Sequence, residues 1–309
     1  MAFWKQKVLL AKIETVYGTD SVPTGAANAV LALDVKLSPM EGQDLSRMID
    51  LPYFGAQRTI PTELYQKLAF KVEMQAAGTL GTVPGWGPLL RACGVAQVVV
   101  AVTSVTYNPI SQGQESVTIY MHIDGTRFRL QGARGNAKFT VDAQGIPYIE
   151  FEFLGLFQVA TDVANPTPVL TGFIAPLVAS KTNTPTFTVG GVALVTKSFM
   201  MDMGNQVERR FLINSDSIII TDRAESMECR VEAVPLATLN PFALAAAQST
   251  VAVALLHGTV VGARVALNVP IAQVMRTAGI EQSQNIVEWP LALTPIPNAG
   301  NDQWTLVCT

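Results

Sequence analysis

The chain is poor in charged and aromatic residues and has little positive charge to offer a polyanion. Of its 309 residues 15% are charged and 7% are aromatic, and the formal net charge is −3. Sequence-independent binding of nucleic acid needs clustered Lys and Arg, which this sequence lacks. Hydrophobic residues make up 49% of the chain, which is unusually apolar for a monomer that must cover its own surface. The composition therefore favours large interfaces between subunits.

Cysteines and long apolar runs are also scarce. The three cysteines, Cys93, Cys229 and Cys308, form no CxxC pair and have no histidine at zinc-finger spacing, so we expect unpaired thiols in a reducing compartment. The most apolar windows, 92–105 and 251–272, are interrupted well short of the roughly 20 residues that a membrane-spanning helix needs. The first residues also lack the apolar segment of a signal peptide. We expect no membrane association.

Catalytic and cofactor motifs are missing as well. The two histidines, His122 and His257, each lie at the edge of a predicted turn and have no carboxylate at ligand spacing. No GxSxG or HExxH motif occurs, and the Gly-rich stretch 78–87 lacks the Lys-Ser/Thr of a phosphate-binding loop. The run 131–141 lacks the stacking aromatics of an RNA-binding strand. We therefore predict no enzymatic activity, no metal and no cofactor.

Residues 116–157 carry the clearest structural signal, that of a β-meander. Strand-like runs at 117–123 and 126–131 flank Asp124-Gly125, a dipeptide typical of tight hairpin turns, and further strands are predicted at 136–142 and 147–156. Short helices are predicted elsewhere, at 86–93 and 240–248. The sequence thus predicts an all-β protein with one short flanking helix in each half.

Two segments of the first half are predicted to make contacts outside the core. Turn residues in 1–30 indicate an N-terminal arm or ordered loop. The segment 39–68 is too long for an ordinary hairpin loop, yet it keeps large apolar side chains, so disorder is not expected. We predict a protruding loop or hairpin that contacts another subunit, through Leu51, Tyr53, Phe54, Ile60 and Tyr65.

The order of short sequence matches predicts that the second half repeats the first. We divide the chain into a first β domain (1–160), a linker with the entry to the second domain (161–190) and a second β domain (191–309). The repeat places the following segments over one another: 44–51 and 206–213, 70–74 and 229–233, 124–126 and 257–259, and 149–151 and 287–289. Each half would be a small antiparallel barrel or sandwich.

Glu150 and Glu152 alternate with Phe151 and Phe153 along one predicted strand. Alternation places the two carboxylates on one face and the two aromatic rings on the other. Such a face suits the wall of a water-filled channel, but on this alternation alone an ordinary solvated surface is favoured.

Four stretches resemble the tail tube (major tail) proteins of long-tailed, non-contractile bacteriophages, and the resemblance extends over most of the chain. The stretches are ETVYGTDSVPTGAANAVLALDVKLSP (14–39), RMIDLPYFGAQRTIP (47–61), GTLGTVPGWGPLLRACGVA (78–96) and SVTIYMHIDGTRFRLQGARG (116–135). The resemblance implies tube-like β-barrel domains, here two in tandem, in a virion protein that polymerises into stacked rings around a channel for DNA. Many such proteins form hexameric rings with one tube domain per subunit, so two domains imply trimeric rings with pseudo-sixfold symmetry.

The same resemblance implies the partners and the roles of particular residues. The chain would bind itself, the tape measure, the tail terminator and the baseplate or tail-tip proteins, and it would assemble in the host cytoplasm before residing in the virion tail. DNA would pass without specific binding. We expect the 39–68 segment and the N-terminal arm to contact the next ring, and Glu150, Glu152 and Asp124 to face the lumen. A virion or cell-surface β-sandwich that binds a ligand or decorates a surface is the alternative.

Overall fold

Antiparallel strands dominate the protein, which confirms the predicted all-β class. The computed structural model describes residues 3–277 and 279–309, with 51% of residues in strands and 5% in three short helices. The helices are α1 (Gly25–Asn28), α2 (Gly87–Arg91) and α3 (Pro241–Ala246). The strands are β1 (Lys7–Ile13), β2 (Ala29–Val30), β3 (Leu33–Ser46), β4 (Thr59–Glu73), β5 (Val95–Val100), β6 (Ser104–Pro109), β7 (Val117–Ile123), β8 (Thr126–Asp142), β9 (Tyr148–Leu156), β10 (Thr161–Asp162), β11 (Thr186–Val189), β12 (Val192–Ala193), β13 (Thr196–Asp202), β14 (Asn205–Leu212), β15 (Ser215–Arg223), β16 (Ser226–Glu232), β17 (Thr250–His257), β18 (Val265–Val274), β19 (Glu281–Ser283), β20 (Ile286–Pro295) and β21 (Thr305–Cys308).

The predicted meander is present, but its predicted strands 126–131 and 136–142 form one continuous strand, β8. β7 and β8 form a hairpin at Asp124-Gly125, and β8 continues through a bulge to pair with β9. At the bulge, Gly132 has φ +55, and a Cβ there would lie 2.8 Å from the Tyr17 ring. Glycine avoids both the strained conformation and the collision. The bulge lets a single strand of 17 residues serve two parts of the sheet.

The prediction of an N-terminal arm or ordered loop is wrong for residues 7–13, which form β1, a strand of the main sheet. β1 pairs along its whole length with β7, from Lys7 opposite Ile123 to Ile13 opposite Val117. Leu9 and Ala11 point into the core from this strand. The turn residues that motivated the prediction, from Gly18 to Gly25, follow β1 and lead through α1 into β2.

The 39–68 segment is an extension of a long β-hairpin. β3 and β4 pair from Leu33 opposite Lys71 out to Ser46 opposite Thr59, with several register shifts on the way. The far half of the hairpin is mostly exposed, whereas β4 alternates buried and part-exposed residues once it joins the main sheet beside β9. The 39–68 segment thus forms the mostly exposed far half of a hairpin, and its contact with another subunit stays a prediction.

The order of strand pairing in residues 7–156 recurs in residues 186–295. In the first stretch neighbouring strands run β1, β7, β8, β9, β4, β3, and in the second they run β11, β17, β18, β20, β16, β13. A register shift interrupts the β7–β8 pair between Val117 and Ile119, and one interrupts the β17–β18 pair between Val251 and Val253. α2 follows β4 just as α3 follows β16.

Paired core residues fix which positions correspond. Phe70 pairs with Phe151 between β4 and β9, and Cys229 pairs with Leu291 between β16 and β20. The two register shifts make Ala133 of β8 equivalent to Ala272 of β18. Pairing two residues further along each strand then makes Phe153 of β9 equivalent to Leu293 of β20. Phe70 therefore corresponds to Cys229, in agreement with the sequence match of 70–74 to 229–233. The match of 149–151 to 287–289 is displaced by two residues, because Ile149 (opposite Val72) corresponds to Trp289 (opposite Val231).

Strand pairing also joins the two stretches directly. β13 pairs with the end of β8 through Ser198 to Asp202, and β21 pairs with β6. One apolar core runs under both stretches, with buried residues such as Phe139 and Phe199. Among the described residues no helix is long and apolar enough to cross a membrane.

Candidate assembly surfaces

Glu150 and Glu152 lie on a solvent-facing surface of the sheet, paired with lysines of β4. Glu150 Oε1 lies 3.0 Å from Lys71 Nζ, and Glu152 Oε1 lies 2.6 Å from Lys67 Nζ. The carboxylate side chains remain 35% and 55% exposed. The hydrogen bond and the charge of Glu150 raise the pKa of the Lys71 ammonium. The alternation seen in the sequence thus places both carboxylates on one face, opposite Phe151 and Phe153 in the core.

The same face continues across both halves of the chain as a mixed but mainly acidic surface, which we call the charged face. Arg230 lies 2.6 Å from Glu281, and Lys197 lies 3.4 Å from Glu288. Residues that pair across strands point to the same side of a sheet, which extends the charged face from β3 to β19. Its acidic members include Asp34, Glu73, Asp142, Glu150, Glu152, Asp202, Glu228, Glu232, Glu281 and Glu288, and its basic members include Lys36, Lys67, Lys71, Lys138, Lys197 and Arg230. Lys5 and Lys7 line the same concavity as Glu150 and Glu152.

Asp124 occupies a different kind of position from the two glutamates. It lies in the β7–β8 turn with φ 40, and its Oδ2 accepts a hydrogen bond from the Phe3 N–H at 2.5 Å. The carboxylate therefore caps the entry to β1 and is not one of the strand residues of the charged face. Its assignment to a lumen stays a prediction, as do those of Glu150 and Glu152.

Four of the five predicted contact residues in the β3–β4 hairpin are exposed. Leu51, Tyr53, Phe54 and Ile60 present large apolar surfaces to solvent, and Phe54 is fully exposed. Tyr65 differs, because it is part-buried and stacks against the Arg209 guanidinium at 4.6 Å. The exposed set is larger than the sequence prediction, since Leu45, Met48 and Ile49 are exposed on the same hairpin. Exposed apolar side chains clustered in this way are typical of interaction surfaces, and the contact of this hairpin with another subunit stays a prediction.

A second hairpin, β14–β15, lies against the first half of the chain. Arg134 of β8 donates to the Ile218 carbonyl at 2.7 Å and to the Gln114 and Glu115 carbonyls at 3.0 and 3.2 Å. Its guanidinium also stacks on Tyr17 at 4.9 Å, and the Tyr17 hydroxyl accepts from the Ile218 N–H at 2.6 Å.

The base of β14–β15 is held in the same way. Arg223 donates to the Gly94 carbonyl at 2.7 Å and to Asn205 Oδ1 at 2.9 Å. Burial lowers the pKa of the Arg223 guanidinium, because the charged form loses hydration. Sequence reasoning missed both contacts, because neither arginine has a local signal: Arg134 lies in the middle of β8, and Arg223 is the last residue of β15.

The histidines and cysteines, the residue types most often used in catalysis or metal binding, are buried. Burial lowers the pKa of His122 and of His257, so both imidazoles favour the neutral form. The three thiols are buried, and burial raises the pKa of Cys229 and of Cys308 to about 12. Within residues 3–277 and 279–309 no group of three or more His, Cys, Asp or Glu side chains is placed to hold a metal ion.

No protein-family model matches the chain, and no curated protein matches it.

Proposed function

We propose that this protein is a structural subunit that polymerises into stacked rings, as the tail tube proteins that its sequence resembles do. The observation that carries the proposal is the joint between β13 and β8, where the second set of strands continues the sheet of the first. A chain whose two similar parts already associate edge to edge has the geometry for a further copy to associate in the same way.

The recurring strand order supports two tandem tube-like domains, each with one short helix. A contact that uses one edge of one copy and a different edge of the next is heterologous, and it closes into a ring when the rotation between copies divides a full turn. With two such domains in each chain, three copies supply the domains of a pseudo-sixfold ring.

The charged face supports a lumen through which DNA slides. Acidic residues outnumber basic ones there, and the lysines beside Glu150 and Glu152 are already neutralised by those carboxylates. Lysine and arginine contacts to phosphate are the main source of non-specific DNA affinity. A wall with few unpaired cations therefore lets DNA pass without binding it.

The apolar tip of the β3–β4 hairpin is the proposed contact to the next ring. Stacking would remove Tyr53 and Phe54 from water, which favours association. The tape measure, the tail terminator and the tail-tip proteins remain proposed partners that the resemblance implies.

Sedimentation velocity and negative-stain electron microscopy of the purified protein test this function. We expect closed rings that stack into hollow tubes as the protein concentration rises. Protein that stays monomeric at high concentration, and forms no rings or tubes even with tail assembly partners, would refute the proposal. Discrete particles that never stack and that bind a carbohydrate or protein ligand would instead support a decoration module.

A further inference from the structure

β13 pairs with β8 within the chain, and the equivalent strand edges at the two ends of the sheet have no partner among the described residues. We propose that these two edges pair with each other between two copies of this chain. The internal joint is the antiparallel pairing of β13 residues 198–202 with β8 residues 138–142. Its counterpart would pair β3 of one copy with residues 279–283 of the next copy. The inference rests on the proposed ring and specifies which edges meet and in which register.

β3 corresponds to β13. Leu37 of β3 pairs with Leu68 of β4, and Met201 of β13 pairs with Met227 of β16. Leu68 and Met227 correspond in turn, because they pair with Phe153 and Leu293 on equivalent strands. Within the described residues β3 pairs with β4 alone, so the edge that β13 uses in the internal joint is unpaired in β3.

β19 corresponds to the end of β8. Thr140 of β8 pairs with Tyr148 of β9, and Glu281 of β19 pairs with Glu288 of β20. Tyr148 and Glu288 each precede the equivalent core residues Ile149 and Trp289. In the part of the chain that the structure describes, β19 pairs only with β20.

The register of the β13–β8 pairing within the chain then predicts the register of the pairing between two copies. In the joint, Met200 lies opposite Thr140 and Met201 lies opposite Phe139. Carried over to the ends of the sheet, the same register places Lys36 opposite Glu281 and Leu37 opposite Ile280.

Exposure and charge both favour this register. Phe139 is fully buried, whereas its counterpart Ile280 is 65% exposed in the single chain. A neighbouring β3 would cover Ile280 just as β13 covers Phe139. Lys36 is exposed and would gain an acidic partner in Glu281, which already lies 2.6 Å from Arg230. Opposite charges that face each other across strands stabilise the pair, and like charges destabilise it.

Charge reversal tests the contact in the intact protein. Lys36→Glu and Glu281→Lys should each weaken assembly by about tenfold, since each brings like charges together. The combination K36E with E281K should recover most of the loss, which disruption of folding would not produce. Lys12→Glu, on the exposed side of β1, is the matched control and should assemble as the unaltered protein does. Failure of the double variant to recover assembly would count against the pairing.

Cross-linking of mixed variants tests the register and separates it from ring formation. A mixture of Lys36→Cys and Glu281→Cys proteins, treated with an oxidant or a short bis-maleimide, should give a covalent dimer. The three native thiols are buried and give little background. Gln282→Cys replaces Glu281→Cys as the control, because the neighbouring residue points to the other face of the strand.

Three outcomes decide the inference. A dimer from positions 36 and 281 but not from 36 and 282 supports the joint, even if the particles never close into rings and the proposed function falls. Rings that form without this cross-link overturn the joint and leave the proposed function standing. Monomers that never cross-link overturn both.

Discussion

Glu14 is a buried carboxylate that ties three distant parts of the first half together. It accepts hydrogen bonds from the Ser116 and Thr118 hydroxyls at 2.6 and 2.8 Å and from the Gly18 and Gly132 N–H groups at 2.8 Å. Its partners come from β7 and the residue before it, from the bulge of β8 and from the turn after β1. Nothing local in the sequence distinguishes Glu14 from a surface glutamate, because the donors are brought to it only by folding.

Removal of this carboxylate should destabilise the protein strongly. We expect Glu14→Ala to lower the free energy of unfolding by about 3 kcal/mol, since it leaves buried donors without an acceptor. Chemical denaturation measures the loss. Glu208→Ala, at an exposed position on β14, should change stability by less than about 0.5 kcal/mol. Equal effects of the two substitutions would show that the buried network contributes nothing specific.

His257 should make stability depend on pH. Burial lowers its pKa in the folded state, and Thr184 Oγ1 lies 2.9 Å from its Nδ1. The unfolded chain therefore binds a proton more readily than the folded protein, so stability is complete above the unfolded value of about 6.5 and falls as pH decreases below it. Thermal unfolding between about pH 7 and pH 5 should show a smaller loss for His257→Gln than for the unaltered protein. An unchanged slope would exclude this residue as a cause.

At the scale of elements, the sequence predicted local hairpins well and long-range pairing poorly. The β7–β8 turn follows from Asp124-Gly125, and α3 begins where Asn240 caps it by accepting the Ala243 N–H. β1 was missed because the turn residues between Gly18 and Gly25 dominated the interpretation of its neighbourhood. Its strand character depends on β7, which lies far along the chain.

The β14–β15 hairpin should loosen when its anchor on β8 is removed. We expect Arg134→Ala to speed amide hydrogen exchange in β14 and β15, because the Ile218 carbonyl loses its donor and Tyr17 loses its stacking partner. Exchange in β17 and β18 should stay unchanged. Arg210→Ala, on the exposed side of the same hairpin, is the control. Uniform acceleration across the sheet would indicate global destabilisation instead.

The β3–β4 hairpin should be dispensable for folding and required for stacking. Tyr53→Ser combined with Phe54→Ser removes two exposed apolar side chains, so the thermal midpoint should not change. Tubes should shorten or disappear in electron micrographs while individual rings persist. Normal tubes from this variant would show that rings stack through another surface. Loss of the rings themselves would show that the hairpin contacts its neighbours within a ring.

At the scale of the whole molecule, the weak sequence repeat and the strand pairing complement each other. The match between 70–74 and 229–233 has the structural register, and the match at 149–151 is displaced by two residues. Core positions in both stretches are filled by different side chains of similar polarity, for example Phe70 and Cys229. Sequence comparison therefore detects the order of the repeat, whereas only paired strands establish its register.

The charged face, too, could be predicted from the sequence only in part. Alternation along β9 predicted one face for Glu150 and Glu152, but their lysine partners come from β4, far away in sequence. The continuation of that face to Arg230 and Glu281 depends on the joint between β8 and β13, which no local pattern encodes.

A cryo-electron microscopy reconstruction of the assembled particle shows whether copies of this chain form a ring around a channel. We expect a hollow ring of three copies with a continuous inner sheet, Glu150 and Glu152 on the inner wall and Lys36 opposite Glu281 of the next copy. A particle without a central channel, or one in which the charged face is turned outward, would contradict this expectation.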